Sequence, residues 1–276
     1  MSDWRPRLIA SDMDGTLLRH DESVSAATVA ELERWRADGV PLVLATGRPP
    51  RWMHGVREVL RHGTAVCCNG AVLLDLEPME ILDESPLEPD TLQAITAELR
   101  AHHASMWFAV EYGWEFRHEP VYQPRWDVDA PGVATATLEE MTSAPAAKLL
   151  ARHESMPRDA FVQLVEQVVG RRATVTNSST DALAEISAPG VTKATGLATV
   201  AARHGVGPED VVVFGDMPND IAAFEWVRDG GGRAVAMAHA HPDLLAVATD
   251  VTVGNDEDGV AAFLSSLWSH RRDQGP

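Results

Sequence analysis

Short, uniformly apolar runs alternate with helix-like segments over roughly the first 80 residues of the chain. Residues 25–39 predict a helix, because a serine at their start can cap it and a glycine at their end can stop it. Asn69 and Gly70 favour a tight turn, so residues 71–76 predict a strand that returns beside the preceding one. Apolar strands separated by helices predict a parallel sheet covered on both faces. These strand-like runs are residues 7–11, 40–45 and 64–68.

The pattern changes near residue 85 and returns to the first type near residue 190. The intervening segment contains two helix-like stretches and several strand-like runs, which predicts a smaller α+β unit. The fold class predicted is α/β, with a three-layer Rossmann-like parallel-sheet core interrupted by an inserted α+β cap. The core is expected to comprise residues 1–84 and 190–276, and the cap residues 85–189.

Composition and net charge narrow the classes of molecule that the protein is expected to bind. The chain has 276 residues, 23 Lys and Arg against 41 Asp and Glu, and a formal net charge of −18, which disfavours nucleic acid and anionic membranes. No apolar run reaches the roughly 18 residues that span a bilayer, and no signal peptide is visible, so a cytoplasmic location is expected. The two cysteines, Cys67 and Cys68, are adjacent and are expected to be buried, reduced thiols.

Two carboxylates end the first predicted strand. Asp12 and Asp14 are two residues apart, so on an extended chain they project to the same side. Ligands of open α/β sheets bind at this carboxyl edge, and Mg²⁺ needs only one or two carboxylates besides water and phosphate oxygens. An ordinary Asp-Gly turn with a spare acid explains the pair equally well when it is considered alone.

Three further polar groups follow predicted strands or begin predicted helices. Thr46 and Gly47 come after the second strand, and together with the next helix N-terminus they can donate to a phosphate. Lys193 begins a helix, where a cation is unfavourable unless an anion lies nearby. Asp216 and Asp220 follow another apolar strand. Each group also has an ordinary structural explanation: a glycine turn for the first, a surface lysine for the second and an N-cap for the third. These separate explanations account poorly for the occurrence of all the groups at strand ends.

These motifs together resemble one protein family. "DMDGTLL", "ATGR", Lys193 and "GDMPND" occur in the order of the haloacid dehalogenase (HAD) superfamily, with a cap of about 100 residues inserted between the second motif and the lysine. That arrangement is similar to the Cof-type phosphatases, which carry a C2B-type (class IIB) cap at this place. "CCNGA" and "NDEDGVA" also resemble this subfamily, and the resemblance covers nearly the whole chain.

The resemblance implies catalytic and metal-binding roles. Asp12 would be the nucleophile that forms an aspartyl-phosphate, and Asp14 would protonate the leaving oxygen and then activate water. Asp14 would also reach the metal through its backbone carbonyl. Asn219 would steady the site. The implied Mg²⁺ ligands are Asp12, Asp14, Asp216 and Asp220.

The resemblance also implies a set of substrate-binding residues. Thr46, Gly47 and Lys193 would hold the phosphate, and Asn69 and Gly70 would lie close to the ligand. Two roles are open for Arg48, which either helps to bind phosphate or forms an ion pair with an acid of the core. The complete implied set is Thr46, Gly47, Arg48, Asn69, Gly70, Lys193 and Asn219.

The implied function is a Mg²⁺-dependent phosphomonoester hydrolase acting on a small phosphorylated metabolite, such as a sugar phosphate or a cofactor phosphate. The alternatives are a sugar phosphomutase of the same superfamily and a non-catalytic metabolite-binding protein. P-type ATPases have threonine where this chain has Asp14, so phosphate hydrolysis is favoured over transport. A monomer or a homodimer is expected.

Aromatic residues concentrate in the predicted cap. Seven of the sixteen Trp, Tyr and Phe residues lie between residues 105 and 126, where they either pack against cap helices or line the substrate pocket. Strand alternation places Trp107 and Phe108 on opposite faces, but leaves open which face is turned to the core. The seven are Trp107, Phe108, Tyr112, Trp114, Phe116, Tyr122 and Trp126.

Overall fold

The computed structural model describes residues 4–122, 124, 130–177 and 182–269. Within these ranges the strands form one eight-stranded and one six-stranded sheet. The strands are β1 Leu8–Ser11, β2 Leu42–Ala45, β3 Thr64–Cys67, β4 Val72–Asp75, β5 Glu80–Glu84, β6 Met106–Tyr112, β7 Glu115–His118, β8 Val133–Thr135, β9 Lys148–His153, β10 Thr174–Thr176, β11 Leu183–Ser187, β12 Val211–Gly215, β13 Arg233–Ala236 and β14 Asp250–Val251. The helices are α1 Ala26–Ala37, α2 His54–Val59, α3 Pro89–His102, α4 Leu138–Met141, α5 Arg158–Val169, α6 Lys193–Arg203, α7 Ile221–Gly230, α8 Pro242–Leu245 and α9 Gly259–Ser269.

The eight-stranded sheet is the α/β core. Its order is β14-β13-β12-β1-β2-β3-β4-β5, and the strands from β14 to β3 run parallel. Helices cover both faces: Ile9 packs in one apolar cluster with Trp35 of α1, and Leu8 packs in another with Phe224 of α7. The predicted three-layer core with a parallel sheet is therefore confirmed. None of the helices in the described part of the chain has the length and hydropathy of a membrane-spanning segment.

The edge of this sheet departs from a purely parallel arrangement. The predicted return strand is present as β4, which pairs antiparallel with β3 across the turn that contains Asn69 and Gly70. β5, which pairs antiparallel with β4, was not predicted from the sequence. β5 carries mostly exposed, acidic residues, so it lacks the apolar pattern of a core strand and its charges protect an open sheet edge.

The six-stranded sheet forms the cap, which is inserted between β5 and β12. Its order is β10-β11-β9-β6-β7-β8, and all its pairings except β7 with β8 are antiparallel. Phe108 packs in the apolar cluster shared with α3 and α5, whereas Trp107 lies in a cluster on the opposite face with Phe116 and Tyr122. The helices therefore cover the Phe108 face, and Trp107 belongs to the face they leave open. Trp126 lies outside the described residues.

Both cysteines are buried and unpaired at the end of β3, as expected. Burial raises the pKa of the Cys67 thiol well above its ordinary value and that of Cys68 to about 12. Because the thiolate is the nucleophilic form, these two side chains are inert packing groups of the core.

The turn after β3 packs directly on the start of α6. Gly70 has a φ of +111°, and a Cβ placed on it would lie 2.2 Å from the carbonyl oxygen of Thr192. Thr192 is the N-cap of α6, and its side chain accepts a hydrogen bond from the backbone N–H of Thr195. Glycine at position 70 therefore lets two backbones meet at the residue that precedes Lys193.

Gly70→Ala should destabilise the protein by about 2–5 kcal/mol, because the new Cβ adds a steric clash to an unfavourable positive φ. Gly39→Ala is the matched control: Gly39 has a φ of +83° but no atom within 4 Å of the added Cβ, so only about 1–2 kcal/mol is expected. Urea unfolding of both variants measures the difference. Equal losses would contradict the close approach at Gly70.

Candidate active site

Four strand ends meet at one edge of the core sheet. β12, β1, β2 and β3 are consecutive neighbours and run parallel, so their carboxyl ends lie side by side. Asp12 follows β1 directly, Thr46 follows β2, Asn69 lies just beyond β3, and Asp216 follows β12. The backbone N–H of Asp12 donates to the carbonyl of Phe214 at 2.9 Å, which extends the β1–β12 pairing to the first of these acids.

The Lys193 ammonium lies between two acids of this edge. Its Nζ is 2.9 Å from Asp12 Oδ1 and 2.7 Å from Asp220 Oδ1, and the side chain is fully buried. Burial acts to lower the pKa of Lys193, but the two carboxylates outweigh it and the pKa is raised. The ion pairs therefore explain why a lysine is tolerated at the N-terminus of α6, where the helix dipole disfavours it.

Three buried carboxylates surround one point. Asp12, Asp216 and Asp220 each present an oxygen within 4.8 Å of the other two. Asp216 Oδ1 accepts a hydrogen bond from Thr16 Oγ1 at 2.8 Å. Asp220 Oδ2 accepts from the backbone N–H groups of Asp216 and Met217, both at 3.1 Å. Asp220 therefore holds both the loop after β12 and the ammonium group of Lys193. Asp12 and Asp216 each keep a carboxylate oxygen that binds neither that loop nor the lysine.

This cluster fits a hard divalent cation. The three carboxylates and one ammonium sum to a charge of −2 in a buried position. Burial, followed by the charge of Asp220, raises the pKa of Asp12 although Lys193 opposes both, and burial raises the pKa of Asp216 to about 6. A bound cation would remove this electrostatic penalty, and oxygen donors are the ligands that Mg²⁺ prefers.

Asp14 does not join the three converging carboxylates. Its side chain is about half exposed and pairs with Arg48, whose Nε lies 3.1 Å from Oδ1 and 2.9 Å from Oδ2. Of the two roles considered for Arg48, the ion pair with an acid is the one present in this structure. Gly15, the next residue, has a φ of +73°, the left-handed conformation that favours glycine in a turn.

The second and third strand ends form a linked polar loop. Thr46 is fully buried, and its Oγ1 accepts from the backbone N–H of Arg48 at 3.0 Å. Asn69 Oδ1 accepts from Asn219 Nδ2 at 3.1 Å, which joins the loop after β3 to the loop after β12. Gly70 belongs to the α6 contact described above. The structure thus brings Thr46, Asn69 and Asn219 to the same sheet edge as the acids.

Comparison with known proteins decides the family. The model of a family described as haloacid dehalogenase-like hydrolases matches residues 9–264 of the chain.

The chain belongs to the haloacid dehalogenase-like hydrolases.

Two curated relatives of this HAD-like hydrolase are named phosphatases. The pyridoxal phosphate phosphatase YbhA of Escherichia coli is 28% identical over 273 residues, which cover 94% of this chain and 98% of the relative. The 5-amino-6-(5-phospho-D-ribitylamino)uracil phosphatase YitU of Bacillus subtilis is 25% identical over 281 residues, covering 96% and 98%. The HAD-like hydrolase is accordingly a phosphatase.

A solved structure of the same fold supports the architecture. The HAD subclass IIB sugar phosphatase BT4131 superposes with a TM-score of 0.78 at 21% identity, covering 94% of this chain and 98% of its own. Identity at this level shows the fold alone. The HAD-like hydrolase therefore has a Rossmann-like core with an inserted cap, and the class IIB resemblance inferred from the motif order is confirmed.

Several polar residues of the site were missed by sequence analysis. Lys148 of the cap donates from Nζ to the carbonyl of Gly47 at 2.9 Å and forms an ion pair with Glu185, while Asn69 Nδ2 donates to Glu185 Oε2 at 3.2 Å. Thr16 also had no role assigned. One signal was available: Lys148 interrupts the otherwise apolar run of residues 146–151, and a lysine buried there requires a partner.

Lys193→Met should destabilise the protein by about 3–5 kcal/mol, because Asp12 and Asp220 would stay buried without their cation. Added Mg²⁺ should restore part of the lost stability. The increase in the free energy of unfolding should be larger than in the wild type, because the cluster without the lysine has one more negative charge to neutralise. Urea unfolding with and without Mg²⁺ measures both effects.

Arg203→Met is the matched control for this experiment. Arg203 ends the same helix and pairs with Asp83 at 3.0 Å, but both side chains are about half exposed. Such a pair contributes at most about 1 kcal/mol, and its loss should be insensitive to Mg²⁺. A Lys193→Met variant as stable as Arg203→Met would contradict the buried charge cluster.

Proposed function

We propose that this phosphatase is a Mg²⁺-dependent phosphomonoester hydrolase that acts on a small phosphorylated metabolite through an aspartyl-phosphate on Asp12. The observation that carries the proposal is the position of the Lys193 ammonium between Asp12 and Asp220, with Asp216 beside them. A cationic group next to a buried carboxylate nucleophile neutralises charge that a phosphoryl group brings into the site.

The proposed chemistry uses residues at the four strand ends. An oxygen of Asp12 attacks phosphorus, and the leaving oxygen departs with a proton from Asp14; water activated by Asp14 then hydrolyses the aspartyl-phosphate. Because Asp14 is paired with Arg48 in the structure, its side chain rotates away from that partner to reach the leaving oxygen. Thr46 and Lys193 hold the phosphoryl oxygens.

The other site residues have supporting roles in the proposal. Gly47, Asn69 and Gly70 shape the phosphate loop, and Asn219 fixes the side chain of Asn69 through the 3.1 Å hydrogen bond. Arg48 holds Asp14 between turnovers. These assignments follow from the strand-end positions of the residues and from the family resemblance.

The same residues would hold the metal. Mg²⁺ would be bound by the carboxylates of Asp12 and Asp216 and by the backbone carbonyl of Asp14, with Asp220 completing the acidic set. When bound, the ion supplies positive charge to the phosphoryl oxygens as charge develops on them. Thr16 would orient Asp216 through their 2.8 Å hydrogen bond.

A cofactor phosphate or a sugar phosphate is the proposed substrate class. The named substrates of the two relatives, pyridoxal phosphate and a phosphoribitylaminouracil, each join a phosphate to a small molecule with a nitrogen heterocycle. We place the substrate between a core of residues 1–84 and 190–276 and a cap of residues 85–189. A cytoplasmic location completes the proposal, since the two cysteines are unpaired.

Phosphate release from p-nitrophenyl phosphate tests this function. Wild-type protein should be active with Mg²⁺, lose activity with EDTA and recover it when Mg²⁺ is restored. Asp12→Asn should reduce kcat by at least about 1000-fold, because the nucleophile is lost. Asp250→Asn is the control, since Asp250 pairs with Arg233 at 2.9 Å on the sheet edge and should leave kcat unchanged.

Three results would contradict the proposal. Full activity in Asp12→Asn would remove the aspartyl-phosphate mechanism. Turnover that depends on an added bisphosphate would indicate a phosphomutase, and ligand binding without any phosphate release would indicate a metabolite-binding protein.

A further inference from the structure

The open face of the cap sheet contacts the core loops that follow β2 and β3. Glu111 on β6 is in register with Lys148 on β9, so the two side chains lie next to each other on the face opposite Phe108. Lys148 reaches the carbonyl of Gly47, and Glu185 on the neighbouring strand reaches Asn69. Glu111 therefore lies beside a lysine that contacts the core at Gly47. That lysine is paired with Glu185, which contacts the core at Asn69.

One carboxylate oxygen of Glu111 is held by the core. Arg51 donates to Glu111 Oε1 at 2.8 Å, and both side chains are at least nine-tenths buried. The guanidinium carbon of Arg51 is 4.8 Å from the ring centroid of Trp52 and 5.1 Å from that of Phe116, so rings of the core and of the cap confine it. Oε1 is therefore the oxygen of Glu111 that faces Arg51.

The other oxygen of Glu111 has no hydrogen-bond partner among the residues that the structure describes, although it is fully buried. Two other buried cap glutamates have both oxygens engaged. Glu119 accepts from Arg100 on both oxygens and from the backbone N–H of Phe108, and Glu185 accepts from Lys148 and Asn69. Buried polar atoms in proteins nearly always have a partner, so Oε2 of Glu111 requires one.

We propose that Glu111 is a specificity-determining residue, whose free Oε2 accepts a hydrogen bond from a hydroxyl or N–H group of the substrate's leaving group. This inference rests on the proposed phosphatase function and deepens it. A carboxylate at this place accepts but does not donate, so it selects leaving groups that carry a donor and disfavours those that carry a second anion. The substrate class is thus a hydroxylated or amino-bearing phosphomonoester.

Burial raises the pKa of Glu111 although Arg51 and Lys148 oppose the shift. The charged groups that act on it are Lys148 and Glu185 of the cap and Arg51 of the core.

Glu111→Gln tests the proposal by replacing the hydrogen-bond acceptor Oε2 with a donor. Arg51 requires an acceptor, so it holds the amide oxygen and leaves the amide N–H₂ at the position of Oε2. The best substrate among pyridoxal 5′-phosphate, glucose 6-phosphate and ribitol 5-phosphate should lose about 10- to 100-fold in kcat/KM, as expected for a lost hydrogen bond to a charged group. The leaving group of p-nitrophenyl phosphate carries no donor, so its kcat/KM should change less than about twofold.

Glu119→Gln is the matched control, because Glu119 is also a buried, arginine-paired cap acid but contacts the backbone of Phe108 on the helix-covered strand face. It should leave the ratio of kcat/KM between the two substrates unchanged. Thermal unfolding of each variant shows whether the cap stays folded. An independent measurement uses wild-type protein alone: a deoxy analogue of the best substrate, lacking the recognised hydroxyl, should show the same loss as Glu111→Gln.

Three results would overturn the assignment. These are an equal loss on both substrates in Glu111→Gln, no loss on either, and a wild-type enzyme that prefers p-nitrophenyl phosphate to every donor-bearing phosphate. Failure of the function itself looks different, because then wild-type protein with Mg²⁺ would hydrolyse none of these compounds or Asp12→Asn would stay fully active, and the inference would fail with it.

Discussion

A buried ammonium group shared by two carboxylates is the interaction on which the site depends. Lys193 cannot remain charged in the core without Asp12 and Asp220, and those acids cannot remain ionised so close together without Lys193. The three residues lie directly after β1, at the start of α6 and in the turn after β12, so the contact forms only when all three segments are in place. Since Gly70 sets the distance between the β3 turn and the start of α6, the hairpin also contributes to the position of the lysine.

Much of this arrangement was predictable because parallel strands always bring their carboxyl ends to one edge. Asp12 and Asp216 are 204 residues apart, yet each follows an apolar strand directly, and that local fact was enough to place them together. The ion pair of Asp14 with Arg48 was left open, because a short turn decides where an exposed carboxylate points. β5, β8 and α4 were missed, since they are short or polar and have no clear apolar period.

Contacts between cap and core were beyond sequence analysis for a different reason. They depend on how two separately packed sheets face each other, and no repeat along the chain encodes that placement. In the structure Arg51 of the core pairs with Glu111 of the cap, and Lys148 of the cap donates to the carbonyl of Gly47 in the core. The charges at the site are thus set locally, and the net charge of −18 belongs mainly to surfaces that solvent screens.

The insertion of the cap also affects how the chain is made. β1 pairs on one side with β2, which follows soon after, but on its other side with β12, which a ribosome synthesises about 200 residues later. Until then a nascent chain carries an apolar strand with an unpaired edge, the kind of surface that promotes aggregation. Within the described residues the cap strands pair only among themselves. The cap can therefore become compact before the second segment of the core has been synthesised.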